Sequence, residues 1–359
     1  MTSSLMTKHL STARQSTSIS EAKAWVLAFI IAASILLVVG LGGFGLAQLV
    51  SGTDIQGERV VIATNADAEA VEIMKTTLDA HGFAGMYVVQ ELGTAELGGR
   101  LMAEGRNIEA DLITLSTFYL ESSQARDNTF IPLDIGPATL QDFPEYMVPL
   151  LAITGSLFVN TELMESDGLP MPTSLYDLTN PIYARNLAIA DINSSSTAWL
   201  FVQALIDSYS EEEATSIIQR IYRNAGDQVL ASGSGPIRNV RAGEVAIGFG
   251  LRHSAVNDRE RGMPIDFIDP YEGNYQLVEA LAIVDKGENI NPLAMDMARA
   301  IIEHARSDLQ LHYPMALFEG EVTHAYHELE NPRVFPQALT LELLTEHQAI
   351  VDRAVRSDD

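Results

Sequence analysis

The sequence predicts an α/β fold built on a parallel sheet, preceded by one apolar N-terminal segment. Two observations carry this. Over residues 60–116, short apolar runs alternate with amphipathic helical stretches, the pattern of successive βαβ units. Upstream, residues 24–50 (AWVLAFIIAASILLVVGLGGFGLAQLV) contain no charged side chain, long enough as a helix to span roughly 30 Å of hydrocarbon.

At 359 residues the chain suits about two domains, and its 47% hydrophobic content is enough to fill their cores. There is no cysteine, which excludes disulfides, thiolate metal sites and a cysteine nucleophile. The net charge of −26 opposes phosphate backbones, so no nucleic-acid partner is expected. That charge is unevenly spread: Lys8, Arg14 and Lys23 against Glu21 leave residues 1–50 at +2. The positive flank before the apolar run predicts a cytoplasmic stretch 1–23, a signal anchor or cleaved signal peptide at 24–50, a linker at 51–57 and an exported body. The body would be membrane-tethered in the first case and released in the second.

In the body, RVVIATN reads as a strand, followed by a helix that stops at the Gly82 region. MYVVQELGTAELGGRLMAEG repeats the unit, and ADLITLS is a third buried strand. PLLAITGSLFVNTEL (149–163) reads as a pair of short strands, and LAIAD (187–191) as another that leads through INSSSTAW into a long helix. SEEEATSIIQRIYRNAG is a helix whose Ser210 and Glu213 suit a capping box. Residues 229–251 read as loop, short helix and strand, and GMPIDFIDPYEGNYQLVEALAIV as strand, turn and strand. The C-terminal part is helical, clearest at NPLAMDMARAIIEHARS and LTLELLTEHQAIVDRAV. His324 and His327 could share a helix face but read as a solvated segment, and no metal site is expected.

The order of VVIATN, ELGTAELGGRLMAEG, SLFVNTEL, SLYDLTNPIYARNLAIADINSSST, GSGPIRNVRAGEVAIGFG and GMPIDFIDPYEGNYQLVEALAIV resembles that of the extracellular solute-binding proteins of ABC importers. The resemblance is to the two-lobed class that includes ferric-iron, phosphonate, polyamine and sulfate binders. It implies two Rossmann-like lobes joined by a two-strand hinge, with crossings near 148–158 and 262–269. Lobe one would be 58–150 plus 265–359, and lobe two 155–262. It also implies a monomeric, non-enzymatic receptor with no cofactor, which holds a small solute between closing lobes and delivers it to an ABC permease. A ferric-iron transporter and a ligand-sensing ectodomain are the alternatives.

The residues most suited to ligand are hydroxyls at helix starts. Ser194, Ser195, Ser196 and Thr197 stand in a row between a strand and a helix; one serves as a cap, and four suggest an anion at the free N–H groups. Thr94 occupies the equivalent turn earlier in the chain, and Asn65 and Ser116 follow the first and third strands. Ser234 lies in a Gly-Ser loop ahead of Arg238. Arg252 and His253 follow the strand ending near 251, where a cation could grip an anion bidentately. Glu272 sits in the PYEGNY turn. Iron-binding relatives carry adjacent tyrosines after the strand equivalent to VAIGFG; here the sequence reads LRHSAV. The expected ligand is therefore a small oxyanion-bearing solute such as a phosphonate or phosphate ester.

Overall fold

The computed structural model describes residues 59–323 and 325–356. The stretches expected as n-region, anchor or signal peptide and linker (1–57), and His324, lie outside the described residues. Among the described residues no helix is long and apolar enough to cross a membrane.

Three βα units open the body. β1 (Val60–Thr64) leads to α1 (Ala68–Leu78), β2 (Tyr87–Glu91) to α2 (Thr94–Glu104), and β3 (Leu112–Ser116) to α3 (Thr117–Asp127). β1 pairs in parallel with both β2 and β3, as the alternation predicts. α1 starts where Asp67 accepts the Ala70 N–H at 3.3 Å, a side-chain N-cap.

Where two short strands were expected, the structure has one strand, β4 (Val148–Asn160), and all thirteen of its residues are buried. Burial on both faces removes the polar alternation that would have marked its extent. Its first half pairs with β9 (Gln276–Ile283), and from Gly155 onward its partners are β7 (Ile247–Leu251) and β8 (Ile265–Ile268). Beyond β7 come β5 (Leu187–Ala190) and β6 (Val229–Leu230), so the sheet order is β2-β1-β3-β9-β4-β7-β5-β6, with β8 on β4. The partner switch at Gly155 is tight: a Cβ there would lie 2.6 Å from the Phe249 ring and 3.0 Å from Leu200 Cβ.

On the β7 side, α4 (Thr161–Ser166) follows β4, α5 (Ser196–Ser208) follows β5, and α6 (Glu211–Ala225) comes next. The expected capping box at Ser210 and Glu213 is present, and Ala214, Ile217, Ile218 and Ile221 form the buried stripe of α6. α7 (Gly235–Arg241) and α8 (Arg252–Glu260) flank β7. α9 (Leu293–Ala300) and α10 (Arg306–His312) lie on the β3–β9 side, joined by a π-helical turn.

The last helix, α11 (Leu341–Arg356), departs from expectation. It was grouped with 58–150 in the expected first lobe; it touches α3 of that group, but packs more extensively on α5 and α6. Trp199 Nε1 donates to His347 Nδ1 at 2.8 Å, and Gln348 donates to the Ile192 carbonyl at 3.3 Å. Its buried stripe (Leu343, Leu344, His347, Ile350, Val351) announces a helix with one covered face but not which surface covers it. The chain thus crosses the sheet's midline a third time through residues 313–340.

Burial holds His347 neutral, lowering its pKa from 6.5 to about 4. A depressed folded-state value means the neutral ring stabilises the fold fully above about pH 6.5, and this contribution is lost as pH falls through 4. His347→Gln keeps an acceptor for Trp199 but cannot titrate. Urea unfolding from pH 7 to 4 should show a shallower loss of stability in the variant, by up to about 1.4 kcal/mol per pH unit. Superimposable profiles would rule this out.

Candidate functional site

A cavity of about 500 Å³ opens at the strand ends and helix starts, lined from both sides of β4. One wall comes from the β1–α1 turn (Asn65, Asp67), the β2–α2 turn (Glu91, Gly93, Thr94) and Glu279 of β9. The opposite wall comes from the start of α5 (Ser194, Ser195, Ser196, Thr197), the loop 231–234 and Arg238 and Arg241 of α7. Leu151 and Ile153 of β4 contribute apolar floor, and Tyr313, just after α10, closes one side.

The α5 wall is built from donors. Ser195 is the N-cap, and its Oγ accepts the Thr197 N–H at 3.3 Å. Ser195, Ser196 and Thr197 are all buried, so their hydroxyls are held in the cavity lining rather than waving in solvent. Gly233 fits against them: a Cβ there would overlap Thr197 Oγ1 and approach Ser195 Oγ to 3.0 Å. Arg238 is exposed to the cavity, with its guanidinium positioned by Ser234 Oγ at 2.7 Å and Ser232 Oγ at 3.0 Å. No carboxylate among the described residues pairs with Arg238, which leaves a cation facing the start of a helix whose own dipole favours negative charge. Arg241 is different, being tied to the buried Asp258.

The facing wall is acidic. Asn65 Nδ2 donates to Glu279 Oε1 at 2.7 Å and to Thr94 Oγ1 at 3.0 Å, while Asn65 Oδ1 is buried without a partner. Glu279 is 5% exposed, and burial, with the charge of Asp67 adding, raises its pKa from 4.5 to about 7. Tyr313 Oη donates to Asp67 Oδ1. Burial and the charges of Asp67, Glu69 and Glu279 push the Tyr313 phenol far above its ordinary value.

Of the residues singled out in the sequence, the structure brings Asn65, Thr94, Ser194, Ser195, Ser196, Thr197 and Ser234 onto this one cavity. Four others lie elsewhere. Ser116 ends β3 fully buried, off the cavity lining. Arg252, expected as the cleft's cation, makes a buried bidentate pair with Asp269 through Nε at 2.7 Å and a terminal nitrogen at 2.9 Å. It also donates to the carbonyls of His327 and Glu328. His253 is buried against the Tyr313 ring at 4.6 Å, held neutral because burial lowers its pKa to about 3. Glu272 is buried off the cavity lining, accepting from the N–H groups of Leu175 and Tyr176 and from Tyr209 Oη. His327, expected in a solvated segment, is also buried.

Sequence reasoning missed Glu279, Tyr313, Glu91 and Arg241 on the cavity wall. For Glu279 a signal existed: it is the lone charge inside the apolar run LVEALAIV. Tyr313 carries no comparable local mark.

A profile of the family of bacterial extracellular solute-binding proteins matches residues 116–315. An uncharacterized protein of Haemophilus influenzae is 29% identical over 150 residues, so the chain spans about 42% of the length of the curated relative it matches. Three solved structures share the fold. The periplasmic thiamin binding protein has 16% identity and a TM-score of 0.68, over 84% of this chain and 98% of that one. The periplasmic binding protein AfuA from Actinobacillus pleuropneumoniae, with fructose-6-phosphate bound, has 19% identity and a TM-score of 0.62, over 83% and 97%. Iron-bound HitA from Pseudomonas aeruginosa has 15% identity and a TM-score of 0.60, over 82% and 99%.

If Arg252 is structural, Arg252→Leu strands Asp269 in a dry site and should lower unfolding stability by about 3–5 kcal/mol in urea titrations. A variant that stays as stable as the parent would return Arg252 to the list of ligand contacts.

Proposed function

The chain belongs to the bacterial extracellular solute-binding proteins, a family of binding proteins rather than enzymes, and on that premise we propose that it captures a small oxyanion-bearing solute, a phosphate ester or phosphonate, for an ABC import system. The two halves of the sheet act as lobes, with β4 and the β8–β9 connection as the hinge, and the solute sits in the cavity between them. An ABC permease is the partner that receives it, and the apolar run 24–50 is the export or tethering segment.

The observation that carries the ligand class is the α5 wall. Buried hydroxyls at a helix N-terminus, backed by Gly233 and faced by an unpaired guanidinium, match the three oxygens of a phosphoryl group. Ferric iron fits less well. Hard iron is best held by tyrosinate oxygens, and the cavity's one tyrosine, Tyr313, is kept protonated by burial and three surrounding carboxylates. The fructose-6-phosphate bound to AfuA is a property of that protein, but it shows that the shared fold accommodates a phosphorylated solute.

Thermal-shift screening with fructose 6-phosphate, glycerol 3-phosphate, thiamin monophosphate, methylphosphonate and ferric citrate tests the reading. A phosphoryl compound at 100 times its dissociation constant should stabilise the protein by about 2.7 kcal/mol. Ser196→Ala, Thr197→Val and Arg238→Ala should each weaken binding of that compound about ten- to hundredfold in calorimetry, equal to about 1.4–2.8 kcal/mol. A shift with ferric citrate alone, or variants that bind as the parent does, would overturn the proposal.

A further inference from the structure

Glu279 occupies the centre of the sheet, its strand flanked by β3 at Ser116 and by β4 at Leu151. A charged side chain is rare at such a position, because desolvating a carboxylate is costly unless it is paired. Its one hydrogen-bond donor is the neutral amide of Asn65, and it forms no ion pair with any described residue. Yet it lines the same cavity as the donors of α5 and Arg238. The cavity is therefore dipolar. Its α5–α7 wall is made for negative charge, and its β1–β2–β9 wall carries Asp67, Glu91 and Glu279.

The carboxylates on that wall are not equivalent. Asp67 is already committed as the cap of α1 and as acceptor for Tyr313. Glu91 is exposed and hydrated at the cavity rim. Only Glu279 is both buried and short of partners, so a ligand group entering the cavity gains most by meeting it.

We infer that Glu279 sets specificity in this cavity by selecting ligands that carry a cationic nitrogen opposite their oxyanion. A ligand hydroxyl would supply one hydrogen bond; an ammonium group supplies a hydrogen bond and the missing countercharge together. This rests on the oxyanion reading of the same cavity and narrows it to zwitterionic phosphoryl or phosphonyl compounds.

A protonation signature follows. In the empty cavity Glu279 is raised to about 7 by burial and by Asp67, so it is partly protonated at neutral pH. The other ionisable groups on the wall are Glu69 and Glu91, which act in the same direction, Arg238 and Arg241, which oppose it, and Tyr313, which stays neutral. A cation docking on Glu279 favours its charged form, so binding releases protons to buffer.

Calorimetry at pH 7 in HEPES and in Tris, with O-phosphoethanolamine and glucosamine 6-phosphate against ethyl phosphate and glucose 6-phosphate, tests this. The parent protein should favour an amine-bearing ester over its amine-free counterpart by tenfold or more, with a fraction of a proton released. Glu279→Gln, nearly isosteric, should reduce the preference to below threefold and abolish the release while ethyl phosphate still binds. Equal binding of both classes by the parent overturns the role of Glu279 and leaves the oxyanion reading standing. Absence of binding by all four compounds overturns both. The parent comparison decides the matter even if the variant folds poorly.

Discussion

Asp269, just past the end of β8, accepts from five donors: Arg252 twice, Ser156 Oγ, Asn274 Nδ2 and the N–H of Glu330. The donors belong to four separate stretches of chain that meet beside the partner switch in β4. Asn274 also donates to the Gly155 carbonyl, so the same cluster grips the strand at the residue where its neighbours change. Two buried charges attract strongly but lose their hydration, and the net stabilisation of such a pair is small. Its value here is positional, because it adds side-chain ties to the backbone ladders that pair β4 with β7 and β9. β4 supplies the cavity floor through Leu151 and Ile153, and its partner β9 supplies Glu279, so the cluster braces a strand that both walls depend on.

A protein of net charge −26 holding a site for an anion is not a contradiction. Surface charges beyond about 8 Å are screened at physiological salt, whereas donors at a helix terminus act within a turn of their target. The hydroxyl groups of Ser195, Ser196 and Thr197 serve a second purpose. They present hydrogen atoms without a fixed charge, so in the empty cavity they need no counterion and strand none. Of the two arginines that line the cavity, Arg238 is the one without an acid, and it is kept in place by two serines rather than neutralised.

Much of the fold was legible because it depends on local chemistry. The βα alternation and the Ser210–Glu213 box are short-range patterns, and each appears where the residues say. The row of hydroxyls at 194–197 was legible for the same reason, since the end of a strand and the start of a helix bring it to the sheet's edge. What was not legible depends on partners distant in sequence. Arg252 and Arg238 look alike as cations beside short helices. Asp269 claims the first and no acid claims the second, and only the folded chain shows which. Likewise α11 displays a clear buried stripe, but its matching surface, with Trp199 at the centre, lies about 150 residues upstream.

On the proposed two-lobed reading, the third crossing restricts how the lobes could move. A hinge of two strands leaves rotation about their axis free, but here residues 313–340 also run from α10 to α11, which is fastened to α5 and α6. That segment is pinned midway by Arg252, which takes the carbonyls of His327 and Glu328, and by Asn274, whose carbonyl accepts from Arg333. At its start Tyr313 reaches both sides, hydrogen-bonded to Asp67 on one and in tilted ring contact with His253 of α8 on the other. Movement of α8 away from α1 must separate that ring contact, while the pinned middle of the segment stays with β4. On that reading a solute would enter where Glu91 and Arg238 stand exposed, between groups of opposite charge.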